Sequence, residues 1–218
     1  MSLTRTKICC IHSPEEVALA AASGADMLGF VSDMPSGPGV IDDVRARDLI
    51  RLVPPGVTPV LLTRKQRAED LVAQARYCGA TTLQLVLMPE IEAYAALREA
   101  LPGARLIQVV HVTGAEALDQ AQAAAVHADA LLLDSGTLVG DLVELGGTGR
   151  THDWAISAQI VRASPVPVIL AGGLNAGNVA AAIHEVGPYA VDLCTGVRSD
   201  GVLDAAKLAP FMAAVRAA

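Results

Sequence analysis

Eight short apolar runs, each followed by a stretch with apolar residues at helical spacing, leave this chain few folds to choose from. The runs are Thr6 to Ile11, Met27 to Val31, Thr58 to Leu62, Thr82 to Val86, Leu106 to Val112, Ala130 to Asp134, Val168 to Ala171 and Ala190 to Cys194. Each reads as a strand buried on both faces, the pattern of a parallel sheet covered by helices. Between them, Ala46, Leu49, Ile50 and Val53, then Ala68, Leu71, Val72 and Ala75, and later Val179, Ala182, Ile183 and Val186 mark the apolar faces of helices. The last helix carries Leu208, Phe211, Met212 and Val215 and is expected to begin close to Pro210, because proline suits a first turn. Strands recur about every 20 to 35 residues, as βα units do, with nothing resembling an interdomain linker. Eight units predict an α/β fold, a (β/α)8 TIM barrel, with residues 1–218 forming one domain. A doubly wound open sheet also alternates strands and helices, but no GxGxxG opens the first helix.

Composition narrows the partners. With 52% hydrophobic residues the chain can bury a sizeable core, and one Trp, three Tyr and two Phe leave small and branched side chains to pack it. The net charge of -7 comes without a basic block, which argues against a nucleic-acid partner. A small anion is still allowed, since a cradle of N–H dipoles does not depend on net charge. The opening MSLTRTKICC lacks the apolar stretch of a secretory peptide, and no run reaches the roughly 18 to 20 apolar residues of a membrane span. A cytoplasmic protein with no membrane contact is expected, as a monomer or homodimer. Cys9, Cys10, Cys78 and Cys194 show no CxxC spacing, and His12, His111, His127, His152 and His184 no metal spacing, so no metal is expected. Of the histidines, His111 stands near the end of strand five, where it could face a pocket.

A barrel keeps its active site at the C-terminal ends of the strands and commonly holds phosphate at the loops after strands seven and eight. Those loops read AGGLNAGNV and TGVRSDG. Gly172, Gly173 and Gly196 would let backbone N–H groups approach an anion. Asp134 follows three leucines, an apolar surrounding that would raise its pKa, although beside Ser135 and Gly136 it also suits a turn. Cys9 stands near the C-terminal end of the first run, where an isolated cysteine is usually a small hydrophobe.

These residues belong to longer motifs: KIC at Lys7 to Cys9, GADMLGFV at Gly24 to Val31, LQL at Leu83 to Leu85, LLLDS at Leu131 to Ser135, GGTGRTHDW at Gly146 to Trp154, ILAGGLNAGNV at Ile169 to Val179 and VDLCTGV at Val191 to Val197. In them the chain resembles the phosphoribosylanthranilate isomerase family over nearly its whole length. The resemblance implies a (β/α)8 enzyme of tryptophan biosynthesis that carries out an Amadori rearrangement, an aldose–ketose proton shift on a small phosphorylated sugar-amine, with no cofactor and no metal. It implies Cys9 as base and Asp134 as acid, and substrate or phosphate contacts at Lys7, Gln84, Gly147, Thr148, Gly149, Gly172, Gly173, Thr195 and Gly196. An ordinary thiol has a pKa of about 8.5, so Cys9 needs a nearby positive charge such as Lys7 or aimed dipoles.

The departures from the family pattern cluster on one side. Cys10 stands where KICG has glycine, and crowding beside the base is expected. SGP at Ser36 to Pro38 falls opposite SPR, whose arginine contacts the anthranilate carboxylate in the family. QLHG reads Gln84, Leu85, Val86, Leu87 without its histidine, and SGVE reads TGVR, with Arg198 at the acidic position. The phosphate half is kept while the aglycone half is rewritten, with Arg198, Lys7 or Arg64 as candidate substitute charges. The alternatives are a paralogue for another phosphorylated amino-sugar and a non-catalytic phosphometabolite-binding barrel. The glycine-rich loop from Ser135 to His152 is a candidate lid.

Overall fold

All eight expected strands form, and they run parallel: β1 (Arg5–Ile8), β2 (Met27–Ser32), β3 (Thr58–Thr63), β4 (Thr82–Leu85), β5 (Arg105–His111), β6 (Ala130–Asp134), β7 (Val168–Leu170) and β8 (Ala190–Leu193). This computed structural model describes residues 4–32, 34, 38–135, 137–139, 142–144 and 152–218. Each strand pairs with its sequence neighbours, and β1 pairs with both β2 and β8, which closes the sheet into a barrel. Closure sets Lys7 level with Asp192 across β1 and β8, while His111 stands level with Asp134 across β5 and β6.

Eight helices separate or follow the strands: α1 (Pro14–Ala22), α2 (Asp43–Ile50), α3 (Ala68–Cys78), α4 (Ile91–Ala100), α5 (Ala117–Ala125), α6 (Trp154–Ala163), α7 (Val179–Val186) and α8 (Ala205–Ala217). Several start where a side chain accepts from an otherwise unpaired N–H. Ser13 accepts from Glu16 and Asp42 from Arg45. The same device corrects the expected start of the last helix. Asp204 caps α8 by accepting from Ala206 N–H at 2.8 Å, so the helix begins five residues before Pro210, and the proline is carried inside it.

Strand parity divides the core in two. Ile8, Leu83, Leu85, Leu131, Leu133 and Leu170 belong to the large apolar layer between strands and helices. Alternate positions, among them Cys9, Val86, Val109, Leu132, Ile169 and Ala171, form a second cluster inside the barrel. The same inward parity carries Lys7, Gln84, His111, Asp134 and Asp192, so the polar interior positions are those nearest the chemistry.

The first strand stops earlier than the apolar run predicts. Cys10 has φ 65°, a left-handed conformation that no strand continues through. Beyond β6, Thr137–Val139 and Leu142–Glu144 pair as a short antiparallel ribbon. The rest of the candidate lid from 136 to 151 lies outside the described residues. Among the described residues no helix is long and apolar enough to cross a membrane.

Candidate active site

One pocket opens at the C-terminal ends of the strands. Cys9, Gln84, Asp134, Gly172, Gly173 and Thr195 all line it, so six of the sequence-predicted site residues come together. Gly196 follows Thr195 in the β8 turn. Lys7 is not on the pocket wall. It is fully buried inside the barrel, where its Nζ donates to Asp192 Oδ1 at 3.0 Å. Gly147, Thr148 and Gly149 lie outside the described residues.

The thiol of Cys9 is built into an ionising environment. Its side chain is buried next to Lys7, and both crowd against Gly29 of β2. A Cβ on Gly29 would lie 2.8 Å from Cys9 Sγ and 3.0 Å from Lys7 Nζ, so only glycine leaves room for the two groups. Hydrogen bonding from Cys10 is the largest influence on Cys9 and lowers its pKa. Burial opposes it, and the Lys7 charge supports it. Burial also pulls Lys7 down, but the Asp192 carboxylate and the Cys9 and Cys10 sulfurs together outweigh it and hold Lys7 above its ordinary value, fully cationic. Cys10 therefore does more than crowd Cys9, which was the expectation from its replacing a glycine. Its positive φ shows why glycine suits that position, and its thiol favours the neighbouring thiolate.

Asp134 ends β6 on another side of the pocket. Its Oδ1 accepts from Ser135 N–H at 2.8 Å. Burial raises its pKa, while the nearby His111 and the Ser135 N–H pull the other way. The pocket thus presents a thiol shifted towards its charged form and a carboxyl shifted towards its neutral form. That division of labour suits one base and one acid.

The β7 and β8 turns have the geometry of an anion cradle. Gly172 and Gly173 take φ 86° and 64°, and a Cβ on Gly172 would crowd Ser135 Oγ at 2.8 Å. A Cβ on Gly196 would collide with the Leu174 carbonyl, so the two turns approach backbone to backbone. Asn178 fixes the first turn by donating to the Gly173 carbonyl at 3.0 Å and accepting from Asn175 N–H at 2.8 Å.

None of the three candidate substitute charges stands on the pocket wall. Arg198 is buried and donates to Glu16 at 2.7 Å, to the Cys10 carbonyl at 2.7 Å and to the Cys9 carbonyl at 3.1 Å. Lys7 is held by Asp192, and Arg64 is exposed outside the pocket. Sequence reasoning missed Gly29, Asp192, Glu16 and Asn178. Of these, Asp192 alone left a local signal, an acid at an inward position of an otherwise apolar strand. Among the described residues no cluster of His, Cys, Asp or Glu is arranged to hold a metal.

Fold and site together define a class: (β/α)8 barrels whose strand-end pocket sets a thiol and a carboxyl beside closely approaching glycine turns. Comparison with known proteins narrows it. The family model for N-(5'-phosphoribosyl)anthranilate isomerase matches residues 6–214, and the chain belongs to that family. It is 36% identical over 198 residues to N-(5'-phosphoribosyl)anthranilate isomerase of Methanocella arvoryzae, covering 91% of each chain. The crystal structure of the Thermotoga maritima phosphoribosyl anthranilate isomerase superimposes with TM-score 0.85 at 29% identity, over 99% of this chain and 100% of that one. A structure of phosphoribosyl anthranilate isomerase in complex with reduced 1-(o-carboxyphenylamino)-1-deoxyribulose 5-phosphate matches with TM-score 0.82 at 27% identity, over 99% and 100% of the two chains.

Proposed function

We infer that Cys9 and Asp134 are the base and acid of a phosphoribosylanthranilate isomerisation. The chain is an intramolecular aldose–ketose isomerase of tryptophan biosynthesis, and its substrate is a phosphorylated ribosyl compound. The observation that carries the residue assignment is the pair of opposed shifts across one pocket, Cys9 lowered and Asp134 raised.

The substrate phosphate sits against the turns at Gly172, Gly173, Thr195 and Gly196, which fixes the sugar over the barrel mouth. Asp134 protonates the furanose ring oxygen, the C1–O bond breaks, and the amine lone pair forms the C1 iminium. Cys9 thiolate then removes the proton at C2, and those electrons neutralise the iminium to give the enolamine. A proton gained at C1 and one lost from the C2 hydroxyl complete the ketose. Lys7 stabilises the thiolate that starts the second step and becomes its electrostatic partner, not a phosphate ligand. The chemistry requires Cys9 as a free thiol, the form it has here, and we place this enzyme of tryptophan biosynthesis in the cytoplasm.

Purified protein is expected to convert phosphoribosylanthranilate without added metal, followed by loss of substrate fluorescence. Cys9→Ser and Asp134→Asn should each lower kcat/KM by at least about 100-fold, the scale of an acid–base group. A folded wild type with no turnover, or variants that retain the full rate, would reject the assignment.

A further inference from the structure

The wall of the pocket opposite the phosphate cradle is apolar, built by Val31, Leu62, Val86, Val109 and Leu132. Such a face suits the ring of an aromatic amine, yet an anthranilate ring also brings a carboxylate that needs a donor. Two polar side chains are set into this wall, Gln84 on β4, whose buried Oε1 completes no hydrogen bond, and His111. His111 ends β5, lines the pocket and is 9% exposed, and neither ring nitrogen completes a hydrogen bond among the described residues.

An imidazole always offers at least one N–H, and leaving it buried without an acceptor costs free energy that an arriving acceptor recovers. The neighbouring strands complete no hydrogen bond with the ring. Asp134, level with His111 on β6, acts on the ring through its charge but completes no hydrogen bond with it, and its Oδ1 accepts from Ser135 N–H. Asp192 across the pocket is tied to Lys7. Val109 offers only an apolar side chain, and the Val86 carbonyl, which acts on the ring, completes no hydrogen bond with it.

Charge points the same way. Among the described lining residues His111 is the one side chain able to carry a positive charge, which burial disfavours until an arriving carboxylate offsets it, because Lys7 and Arg198 are held by Asp192 and Glu16 away from the wall. The family arginine is missing between Ser36 and Pro38, and the family histidine is replaced by Val86, one strand away from His111.

We propose that His111 recognises the carboxylate of the aromatic amine, so that carboxylate recognition is carried by the end of β5. The imidazole N–H donates to a carboxylate oxygen while the ring of the amine lies on Val86, Val109 and Leu132. His111 is then a specificity-determining residue, separate from the acid and the base. This rests on the isomerase reading.

The test compares wild type, His111→Ala and His111→Gln on phosphoribosylanthranilate and on phosphoribosylaniline, which lacks the carboxylate. His111→Ala should raise KM for the carboxylated substrate about 10- to 100-fold, the scale of one charge-assisted hydrogen bond, with kcat within about threefold. KM for phosphoribosylaniline should not change, and His111→Gln, which keeps an N–H donor, should recover part of the discrimination. Equal losses on both substrates, or a fall in kcat at constant KM, would overturn the proposal and assign His111 to the chemistry or the fold. Calorimetry separates this from failure of the isomerase reading. Even if wild type turns over neither substrate, reduced 1-(o-carboxyphenylamino)-1-deoxyribulose 5-phosphate should bind His111→Ala about 10- to 100-fold more weakly than wild type, while its carboxylate-free counterpart binds both alike. Equal affinities for the carboxylated ligand would overturn it.

Discussion

Cys9 is one atom of sulfur whose ionisation depends on what three other side chains do. Lys7 supplies a charge that cannot leave, because Asp192 holds it and no water reaches it. Cys10 supplies a hydrogen bond, and it does so from a left-handed backbone that costs roughly 1 to 2 kcal/mol for a residue with a Cβ. Glycine would relieve that strain and forfeit the hydrogen bond. The balance leads to a definite pH effect. A base must be deprotonated to act, so kcat/KM rises with pH through the Cys9 pKa. Cys10→Ala removes the leading influence that lowers this pKa, so the rising limb should move to higher pH while the plateau is largely kept. The pH profile of kcat/KM, with the rate of thiol alkylation as a second readout, checks it. A limb that stays in place would show that Lys7 alone sets the thiolate.

Between elements, Arg198 is the tie that holds the turn after β1 in position. Standing just after β8, it reaches Glu16 on α1, the carbonyls of Cys9 and Cys10, and the Gly201 carbonyl at 2.9 Å. Glu16 in turn accepts from His12 N–H at 3.1 Å and Leu203 N–H at 2.8 Å. Burial would raise Glu16, but Arg198 and these N–H groups hold it below the usual carboxylate range. Such a pair is worth little compared with apolar packing, yet breaking one half is expensive. Arg198→Met should therefore destabilise the protein by about 3 to 5 kcal/mol, seen as a lower urea midpoint. Glu16→Gln combined with Arg198→Met should be less destabilised than Arg198→Met alone, because the stranded carboxylate is gone. If the double variant is the less stable, the cost lies in lost packing and not in the charge. This tie was not legible in the sequence. TGVR against SGVE showed that a charge had been reversed, but its partner lies 182 residues away on a helix that no motif links to it. The placement of Cys9 and Asp134 in one pocket was legible because each stands at a strand's C-terminal end or just past it, where parity and motif agree within a few residues.

For the molecule as a whole, what could be read early is what repeats. Eight βα units state the fold eight times, each within a local window, and inward parity then selects Gln84, His111 and Asp134 with no knowledge of the partner strands. What could not be read is what closure creates: Lys7 and Asp192 meet across 185 residues because the last strand pairs with the first. The closed barrel also fixes how the protein answers acid. His152, entering α6, shares a hydrogen bond between Nε2 and Ser157 Oγ at 2.7 Å, and burial pushes its pKa from 6.5 down to about 4. The unfolded chain takes up that proton near pH 6.5 and the folded chain does so only near pH 4, so the unfolded state binds more protons between those values. His152 therefore costs nothing above about pH 6.5, and its penalty grows as pH falls, to a ceiling on the order of 3 kcal/mol near pH 4. His111, also lowered by burial, adds in the same direction, whereas Asp134 and Asp192, raised by burial, act in the opposite one. The wild-type curve alone is thus a sum. Subtracting the curve of His152→Phe isolates the one group, since phenylalanine fills the site and takes no proton. Unfolding free energies from urea titrations between pH 7.5 and 4.5 should converge as pH falls, with wild type losing stability faster than the variant. Parallel curves would mean that His152 is already solvated in the folded protein.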